Sequence, residues 1–160
     1  MDFYDGRAIY TANRRYGYID EDRTVIVAPQ FTAVTRFSEG LAGVKKKGEK
    51  YGFIDTAGNY VIEPKFDDVG CFSLGLCAIK KGKKFGYINN VGEIVIKPTF
   101  DQAMRFQDNG VAVATKGDQY GLIDTNGDWI VSPAFDRIWP YNKICVVRIG
   151  HKFDVIKIIT

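Results

Sequence analysis

One segment recurs along the whole chain, and this repetition constrains the fold more than any other feature of the sequence. An aromatic residue, a glycine, one further residue and an isoleucine come together four times. The copies begin at Tyr16, Tyr51, Phe85 and Tyr120, so they are spaced by 35, 34 and 35 positions. Repeats of this size predict an array of small structural units, each of which buries its apolar surface against its neighbours.

A second marker follows the first at a fixed distance. Four of the five prolines occupy this position, and a phenylalanine comes two residues after each of them. The pairs are Pro29 with Phe31, Pro64 with Phe66, Pro98 with Phe100, and Pro133 with Phe135. The fifth copy, at residues 153–156, has Asp154 in place of the glycine and lacks the proline pair. Terminal repeats are atypical because one face meets water, so we expect the array to end there.

Each unit is expected to form a small antiparallel meander of three strands. Strand A is an apolar run such as residues 111–114, strand B carries the aromatic-glycine pair, and strand C is a short run such as residues 60–62. The turn between strands A and B is polar and contains glycine, and the glycine of the turn between strands B and C supplies the positive φ of a tight hairpin. Proline removes a backbone donor, so we expect it to end strand C. The connector to the next strand A has room for a short fourth strand.

Strands A and C are apolar at successive positions, so both of their sides need cover. The units are therefore expected to stack face against face, and each strand B glycine is expected to meet a neighbouring backbone or ring. The predicted fold is all-β, with roughly four and a half three-stranded units in an open propeller-like arc or a β-solenoid. One domain, residues 1–160, would hold units 3–39, 40–74, 75–109 and 110–142 and a capping partial unit 143–160. Phe3 begins either strand A of an open first unit or a strand that closes a ring.

With these residues the chain resembles the WG-repeat (KWG-repeat) family of bacterial β-repeats. The third unit carries the pattern most fully, in Gly75-Leu76-Cys77-Ala78-Ile79, Lys81-Gly82-Lys83, Phe85-Gly86-Tyr87-Ile88-Asn89, Gly92, Val95-Ile96 and Pro98-Thr99-Phe100-Asp101. The likeness extends from about residue 3 to residue 156. Tyrosine or phenylalanine replaces the tryptophan of the family motif, and Arg23 replaces a turn glycine. The resemblance implies an interaction module and brings no catalytic residues with it.

The polar residues that recur in each unit favour a structural role. Asp20, Asp55, Asn89 and Asp124 follow strand B, where a side chain of this type closes a turn by binding its own backbone. We interpret the aspartates after each Pro-x-Phe, Asp67, Asp101 and Asp136, in the same way. The single histidine, His151, falls in a turn and is expected to be solvated. We therefore expect no enzyme, no cofactor, no metal site and no small-molecule substrate.

Positive charge is concentrated in strand A and the turn after it. Fifteen basic residues lie there against Glu49 and Asp118. The basic residues are Arg7, Arg14, Arg15, Lys45, Lys46, Lys47, Lys50, Lys80, Lys81, Lys83, Lys84, Lys116, Lys143, Arg148 and Lys152. If the units stack in register, these turns form one basic rim and the connectors an acidic one. The rim either binds an anionic partner or protects exposed edges from aggregation.

Tyr4, Trp129, Trp139 and Tyr141 depart from the repeat, and the last two are candidates for a partner contact. Trp139 and Tyr141 lie where earlier units have a single phenylalanine, and exposed aromatic residues are favoured anchors of interfaces. Trp129 takes a strand C position and is expected in the core.

The three cysteines, Cys71, Cys77 and Cys145, lack the spacing of metal ligands. Either Cys71 and Cys77 form a redox pair, or the cysteines are small buried residues in a reducing compartment. We favour the second interpretation.

The predicted function is non-catalytic protein binding through the repeat surface, as an interaction module or scaffold. The candidate contact residues are Lys45, Lys46, Lys47, Lys80, Lys81, Lys83, Lys84, Trp139 and Tyr141. The alternative is an anionic partner, such as nucleic acid or an acidic surface, bound by the basic rim. The first residues show no signal peptide and no apolar run is long enough for a membrane helix, so we expect a cytoplasmic protein unless the chain is part of a larger exported one.

Overall fold

The computed structural model describes residues 2–158, which form strands and turns and no helix. Within these residues eighteen strands make five small antiparallel sheets, here called sheets 1 to 5 in chain order. None of the described segments is a helix that could cross a membrane. The predicted all-β array of stacked antiparallel units is confirmed.

The same strand order recurs in the sheets, and within each sheet every strand pairs with the next one in the chain. Strand A is β1 (Ala8–Ala12), β5 (Leu41–Lys45), β9 (Cys77–Lys81), β13 (Ala112–Lys116) and β17 (Ile144–Ile149). Strand B is β2 (Arg15–Ile19), β6 (Tyr51–Asp55), β10 (Lys84–Ile88), β14 (Gln119–Ile123) and β18 (Lys152–Lys157). Strand C, found in sheets 1 to 4, is β3 (Val25–Phe31), β7 (Tyr60–Phe66), β11 (Ile94–Phe100) and β15 (Trp129–Phe135).

A leading strand pairs with strand A in sheets 2 to 5. It is β4 (Ala33–Val34), β8 (Asp68–Val69), β12 (Gln102–Ala103) and β16 (Arg137–Tyr141). It is the short fourth strand for which the connector was predicted to have room, and only in sheet 5 does it reach five residues. Within residues 2–158, β1 of sheet 1 pairs with β2 and not with a strand of the last copy, so sheet 1 is an open unit whose first strand is strand A.

The core consists of four apolar clusters, and each joins two consecutive sheets. Between sheets 3 and 4, for example, Tyr87, Ile96 and Phe106 pack against Ala112 and Ile123. The connector phenylalanine lies against the strand B ring, with the centroids of Tyr87 and Phe106 4.8 Å apart. Clusters of the same kind lie between sheets 1 and 2, 2 and 3, and 4 and 5. The predicted face-to-face packing is therefore confirmed.

The predicted end of strand C at the proline is wrong. Pro29, Pro64, Pro98 and Pro133 all lie inside strand C, which continues to the phenylalanine. In sheet 3 the register passes from Tyr87 opposite Ile96 to Phe85 opposite Phe100, so strand C contains two extra residues there. The proline sits in this bulge, where no ladder hydrogen bond needs its missing N–H.

The bulge explains the strand B glycine. A Cβ atom on Gly86 would lie 2.4 Å from the carbonyl oxygen of Ile96 and 2.7 Å from the nitrogen of Pro98. Gly17, Gly52 and Gly121 meet the same carbonyl of their own strand C. The predicted close approach is therefore real, but the neighbour is the adjacent strand of the same sheet.

In sheets 2 to 4 strand A is covered on both sides as predicted, and strand C is not; β1 and β17, the strands A of sheets 1 and 5, are exposed on one side. Leu41, Ala42 and Val44 of β5 are all buried, whereas Val61 and Val95 of strand C are exposed beside the buried Ile62 and Ile96. Strand C is the edge strand of sheets 1 to 4, and solvent reaches one of its sides. A run of two or three apolar residues was too short to separate these cases.

The turn between strands B and C also touches the preceding sheet. Gly58 and Gly92 have positive φ, and a Cβ atom on either would lie within 3 Å of Val27 or Ile62 of the sheet before. Sheet 1 has no preceding sheet among the described residues, and Arg23 there keeps the positive φ, at 64°. The exception at Arg23 thus follows from its position at the start of the array.

Candidate functional site

The predicted turn-closing role of the residue after strand B is confirmed. Asp55 Oδ1 accepts hydrogen bonds from the N–H groups of Ala57 (3.0 Å) and Asn59 (2.9 Å). These hydrogen bonds lower the pKa of Asp55 below its ordinary value, and the bond from Asn59 has the largest effect. Asn89 and Asp124 bind their own turns in the same way.

The aspartate after each Pro-x-Phe has a different partner, so its predicted role in closing its own turn is wrong. Asp67 Oδ2 accepts a hydrogen bond from Gly82 N–H (2.7 Å), and Asp101 Oδ2 accepts one from Gly117 N–H (2.8 Å). Both glycines lie in the turn between strands A and B of the following sheet. Asp136 binds Gly150 in the same manner, at 2.5 Å. The backbone partner is remote in sequence, which local spacing could not show.

These aspartates also change the predicted basic rim. The ammonium groups of Lys50 and Lys84 lie 3.0 Å from Asp67 and 2.5 Å from Asp101. The pKa of Asp67 is lowered mainly by the hydrogen bond from Gly82 N–H and next by Lys50. The pKa of Asp101 is lowered mainly by Lys84 and next by the hydrogen bond from Gly117 N–H. The prediction that the connector acids lie at the opposite end is therefore wrong for these residues.

The other predicted rim lysines divide into two groups. The ammonium nitrogens of Lys45, Lys46 and Lys80 lie 5.3, 5.8 and 5.5 Å from aromatic ring centroids and contact these rings through cation–π interactions. The remaining rim candidates are exposed; they are Lys47, Lys81 and Lys83. The structure does not bring the rim lysines together around a pocket.

Trp139 and Tyr141, the predicted aromatic anchors, lie on β16 of the last sheet. Trp139 pairs with Val146 and Tyr141 with Ile144 on β17, so all four side chains point to the same face. This face is turned away from sheet 4, because the alternate residues Cys145 and Val147 pack into the cluster between sheets 4 and 5. The side chain of Tyr141 is 58% exposed.

Strand β18 extends this face with two residues that the sequence reasoning missed. Val155 pairs with Val146 and Phe153 with Arg148, and the rings of Phe153 and Trp139 stack with centroids 6.2 Å apart. Phe153 is 64% and Val155 is 59% exposed. We call the set Trp139, Tyr141, Ile144, Val146, Phe153 and Val155 the outer face. No local pattern distinguishes them, because each repeat has aromatic or apolar residues at these two positions.

A groove lies between β18 and Phe135 of sheet 4. It encloses about 350 Å³ between Phe135 of sheet 4 and the side chains of Val147, Phe153, Asp154 and Ile156. Its lining is mainly apolar. Phe135 is half-buried, whereas the equivalent Phe100 of sheet 3 is buried and packs edge-on against Trp129 with centroids 5.5 Å apart.

Basic residues border the outer face and the groove. Lys143, Lys152 and Lys157 are exposed around β17 and β18. Arg148 is half-buried, and its Nε has no hydrogen-bond partner within residues 2–158. Apart from Asp154 in the groove, the charged residues named around the outer face and the groove are basic.

The residues considered for chemistry are dispersed. His151 is exposed in the turn between β17 and β18, as expected. Cys77 and Cys145 are buried, as expected for small apolar residues, and Cys71 is half-buried. Burial raises the pKa of the Cys77 thiol. Over residues 2–158 no three histidine, cysteine or acidic side chains lie close enough together to hold a metal ion.

Five small sheets packed in series through apolar faces define a tandem β-repeat protein. The family model of the WG containing repeat matches residues 16–50, 51–85, 85–120 and 120–153, and the chain belongs to this family. The resemblance seen in the sequence is thereby confirmed.

Solved structures share this architecture. The computationally designed protein Ika8 has a TM-score of 0.60 at 11% identity, over 98% of this chain and 57% of its own. Hsv2 of Kluyveromyces lactis has a TM-score of 0.60 at 10% identity, over 98% of this chain and 59% of its own. The designed protein Ika4 reaches 0.51 at 13% identity, over 76% of this chain and 88% of its own. The chain thus spans less than two thirds of Ika8 and Hsv2, and at these identities the likeness concerns the fold alone. No curated protein matches the chain.

Proposed function

We propose that the chain is a non-catalytic protein-binding module and that its partner contacts the outer face. The single observation that carries the proposal is the exposure of aromatic and aliphatic side chains together on one sheet face, around Trp139 and Phe153. Exposed apolar patches bordered by polar residues mark sites of protein–protein contact. Aromatic side chains supply large contact areas at low entropic cost.

The equivalent residues of sheet 4 support this interpretation. Leu122 holds the strand B position that Val155 holds in sheet 5, and Leu122 is fully buried because sheet 5 covers it. The outer face therefore keeps the chemistry of an inner packing surface. A protein partner would bury it as the neighbouring sheet buries Leu122.

The basic rim supports the alternative of an anionic partner less well. Lys50 and Lys84 already pair with aspartates, and Lys45 and Lys80 contact aromatic rings of their own sheet. These contacts reduce the charge available to nucleic acid or an acidic surface. Binding of that kind would also weaken steeply with salt.

The experiment compares capture of partners from a lysate of the source cells by the full chain and by two variants. Trp139→Ser/Phe153→Ser removes the two stacked rings of the outer face. Val61→Ser/Val95→Ser is the matched control, since both valines are exposed on strand C of other sheets. We expect a protein that the wild type and the control retain at about 0.5 M salt, where surface charges are screened, and that the outer-face variant loses.

A variant with Lys45, Lys46, Lys80 and Lys81 changed to glutamate tests the alternative. If this variant loses the partner and the outer-face variant keeps it, the rim binds and the proposed site is wrong. Equal capture by all variants would contradict both.

A further inference from the structure

Within residues 2–158 the last sheet has no strand C, the strand that completes each of the other sheets. In sheets 1 to 4, strand B pairs with strand A on one edge and with strand C on the other. In sheet 5, β18 pairs with β17, and no strand pairs with its other edge within residues 2–158. Such an edge presents unpaired N–H and C=O groups to any extended chain that approaches.

We propose that the open edge of β18 binds an extended segment of a partner protein as an added antiparallel strand, with an acidic residue beside Lys152. The inference rests on the proposed function and gives its partner a chemical description. Strand addition to a sheet edge draws affinity from main-chain hydrogen bonds and specificity from the side chains on each face. The earlier sheets show what those side chains are.

The acidic residue is inferred from the position of Lys152. Lys50, Lys84 and Lys152 each lie one residue before the aromatic residue of strand B. Lys50 and Lys84 bind Asp67 and Asp101, each of which comes directly after the last residue of strand C. Lys152 has no carboxylate partner within residues 2–158. A strand laid on β18 in the same direction would bring its final residue to Lys152.

The groove beside β18 indicates an aromatic residue in the segment. In sheet 4, Trp129 opens strand C, pairs with Ile123 and packs against Phe100 of the sheet before. In sheet 5, the groove lies at the equivalent place, with Ile156 and Phe135 on its walls. An aromatic side chain opposite Ile156 would fill it and bury Phe135 as Trp129 buries Phe100.

Asp154 restricts the shape of the added strand. In the other sheets this position is glycine, because a Cβ atom would lie 2.2 to 2.6 Å from a carbonyl oxygen of the bulged strand C. Asp154 has a Cβ atom, so a strand with the two-residue bulge and its proline cannot lie against β18. The segment must therefore be a regular strand at this point.

A second copy of this chain fits the edge poorly. Centred two-fold pairing of β18 with itself would place Lys152 opposite Lys157 at both ends. Like charges directly opposite each other destabilise an antiparallel pair. The basic border formed by Lys143, Lys152 and Lys157 instead favours a different, acid-bearing chain.

The test uses two fluorescein-labelled peptides and the full chain, with binding measured by fluorescence anisotropy. The bulged peptide copies residues 127–136, and the regular peptide is the same without Ser132 and Pro133. With the one-residue irregularity between Trp129 and Val131 kept as in sheet 4, the regular peptide places Trp129 opposite Ile156 and Asp136 opposite Lys152. We expect the wild type to bind the regular peptide about tenfold more tightly than the bulged one, equal to about 1.4 kcal/mol. Asp154→Gly should remove this preference by admitting the bulge.

A charge exchange tests the contact with Lys152. We expect Lys152→Glu to weaken binding of the regular peptide about fivefold, as for a partly exposed ion pair. A regular peptide with Asp136→Lys should restore the affinity of the Lys152→Glu variant. Lys83→Glu, on an exposed turn of sheet 3, is the matched control and should leave binding unchanged.

Four results would overturn the inference. The first is no saturable binding of the regular peptide below about 1 mM, equal to about −4.1 kcal/mol. The second is equal affinity of the two peptides for the wild type and for Asp154→Gly. The third is no rescue of binding by the exchanged charge, and the fourth is a dimer of the free chain, seen in sedimentation, that Lys152→Glu alters. If the captured partner depends on Trp139 and Phe153 but not on Lys152 or on competition by the regular peptide, the proposed function stands and strand addition fails.

Discussion

Sheets 3 and 5 are copies of one repeat, yet one is enclosed and the other is open. In sheet 3, Tyr87 of strand B is fully buried by the connector Phe106 and by sheet 4, and strand C crosses Gly86 in a bulge. In sheet 5, Val155 at the corresponding position is exposed, Asp154 replaces the glycine, and no strand C follows within the described residues. The repeated residues thus serve contacts between neighbouring sheets, and in sheet 5, which no further sheet covers within residues 2–158, the equivalent residues are exposed.

The largest expected contrast concerns the phenylalanines. Phe106→Ala should lower the free energy of unfolding by about 3–5 kcal/mol, because a buried ring between sheets 3 and 4 is replaced by a cavity. Phe153→Ala should lower it by about 0.5 kcal/mol, because that ring is mainly exposed. Urea denaturation followed by circular dichroism measures both. Similar losses would mean that the outer face is part of the core.

The next contrast concerns the strand B position that carries glycine in sheet 3. Gly86→Ala should lower the free energy of unfolding by about 1–3 kcal/mol, since its Cβ atom would overlap the carbonyl of Ile96. Asp154→Ala should change it by less than about 0.5 kcal/mol, because no bulged strand lies against it. If urea denaturation gave the same loss of stability for Gly86→Ala and Asp154→Ala, the bulge of strand C would not be the reason for the glycine.

The smallest contrast depends on pH and on the aspartates that join the inner sheets. The pKa values of Asp67 and Asp101 are lowered from 3.8 in the folded protein, so their stabilisation is present above pH 3.8 and is lost as the pH falls below it. Asp67→Asn/Asp101→Asn should be less stable than the wild type at pH 7 and should lose less stability on acidification. Thermal unfolding between pH 7 and 2 measures this. Parallel pH profiles for the two proteins would contradict the assigned role of these carboxylates.

The sequence predicts the repeating architecture well because the same local rules act in each unit. Turn glycines, Asx side chains such as Asp55 and the apolar run of strand A are recognised from spacing alone. The bulge at Pro98 was not predicted, since proline ends many strands and the extra residues are visible only from the register. The partner of Asp101 lies 16 residues away in the next sheet, so no local pattern identifies it.

The candidate site was predicted only in part, for a similar reason. Trp139 and Tyr141 could be singled out because they break the repeat. Phe153 and Val155 could not, because the repeat expects apolar residues there and their exposure depends on which sheets surround them. The rim lysines were selected by charge alone, and their contacts with aspartates and aromatic rings become visible only in the folded structure.

Amide hydrogen exchange followed by NMR tests the central claim most directly, since it compares the open edge of β18 with the paired edges of β10 and β14. We predict that, in the free protein, those amides of β18 that do not bond to β17 exchange as fast as exposed amides, while the edge amides of β10 and β14 are protected. Addition of the regular peptide should protect the β18 amides and leave the others unchanged. Protection of the β18 edge already in the free protein, or no gain with the peptide, would contradict the account.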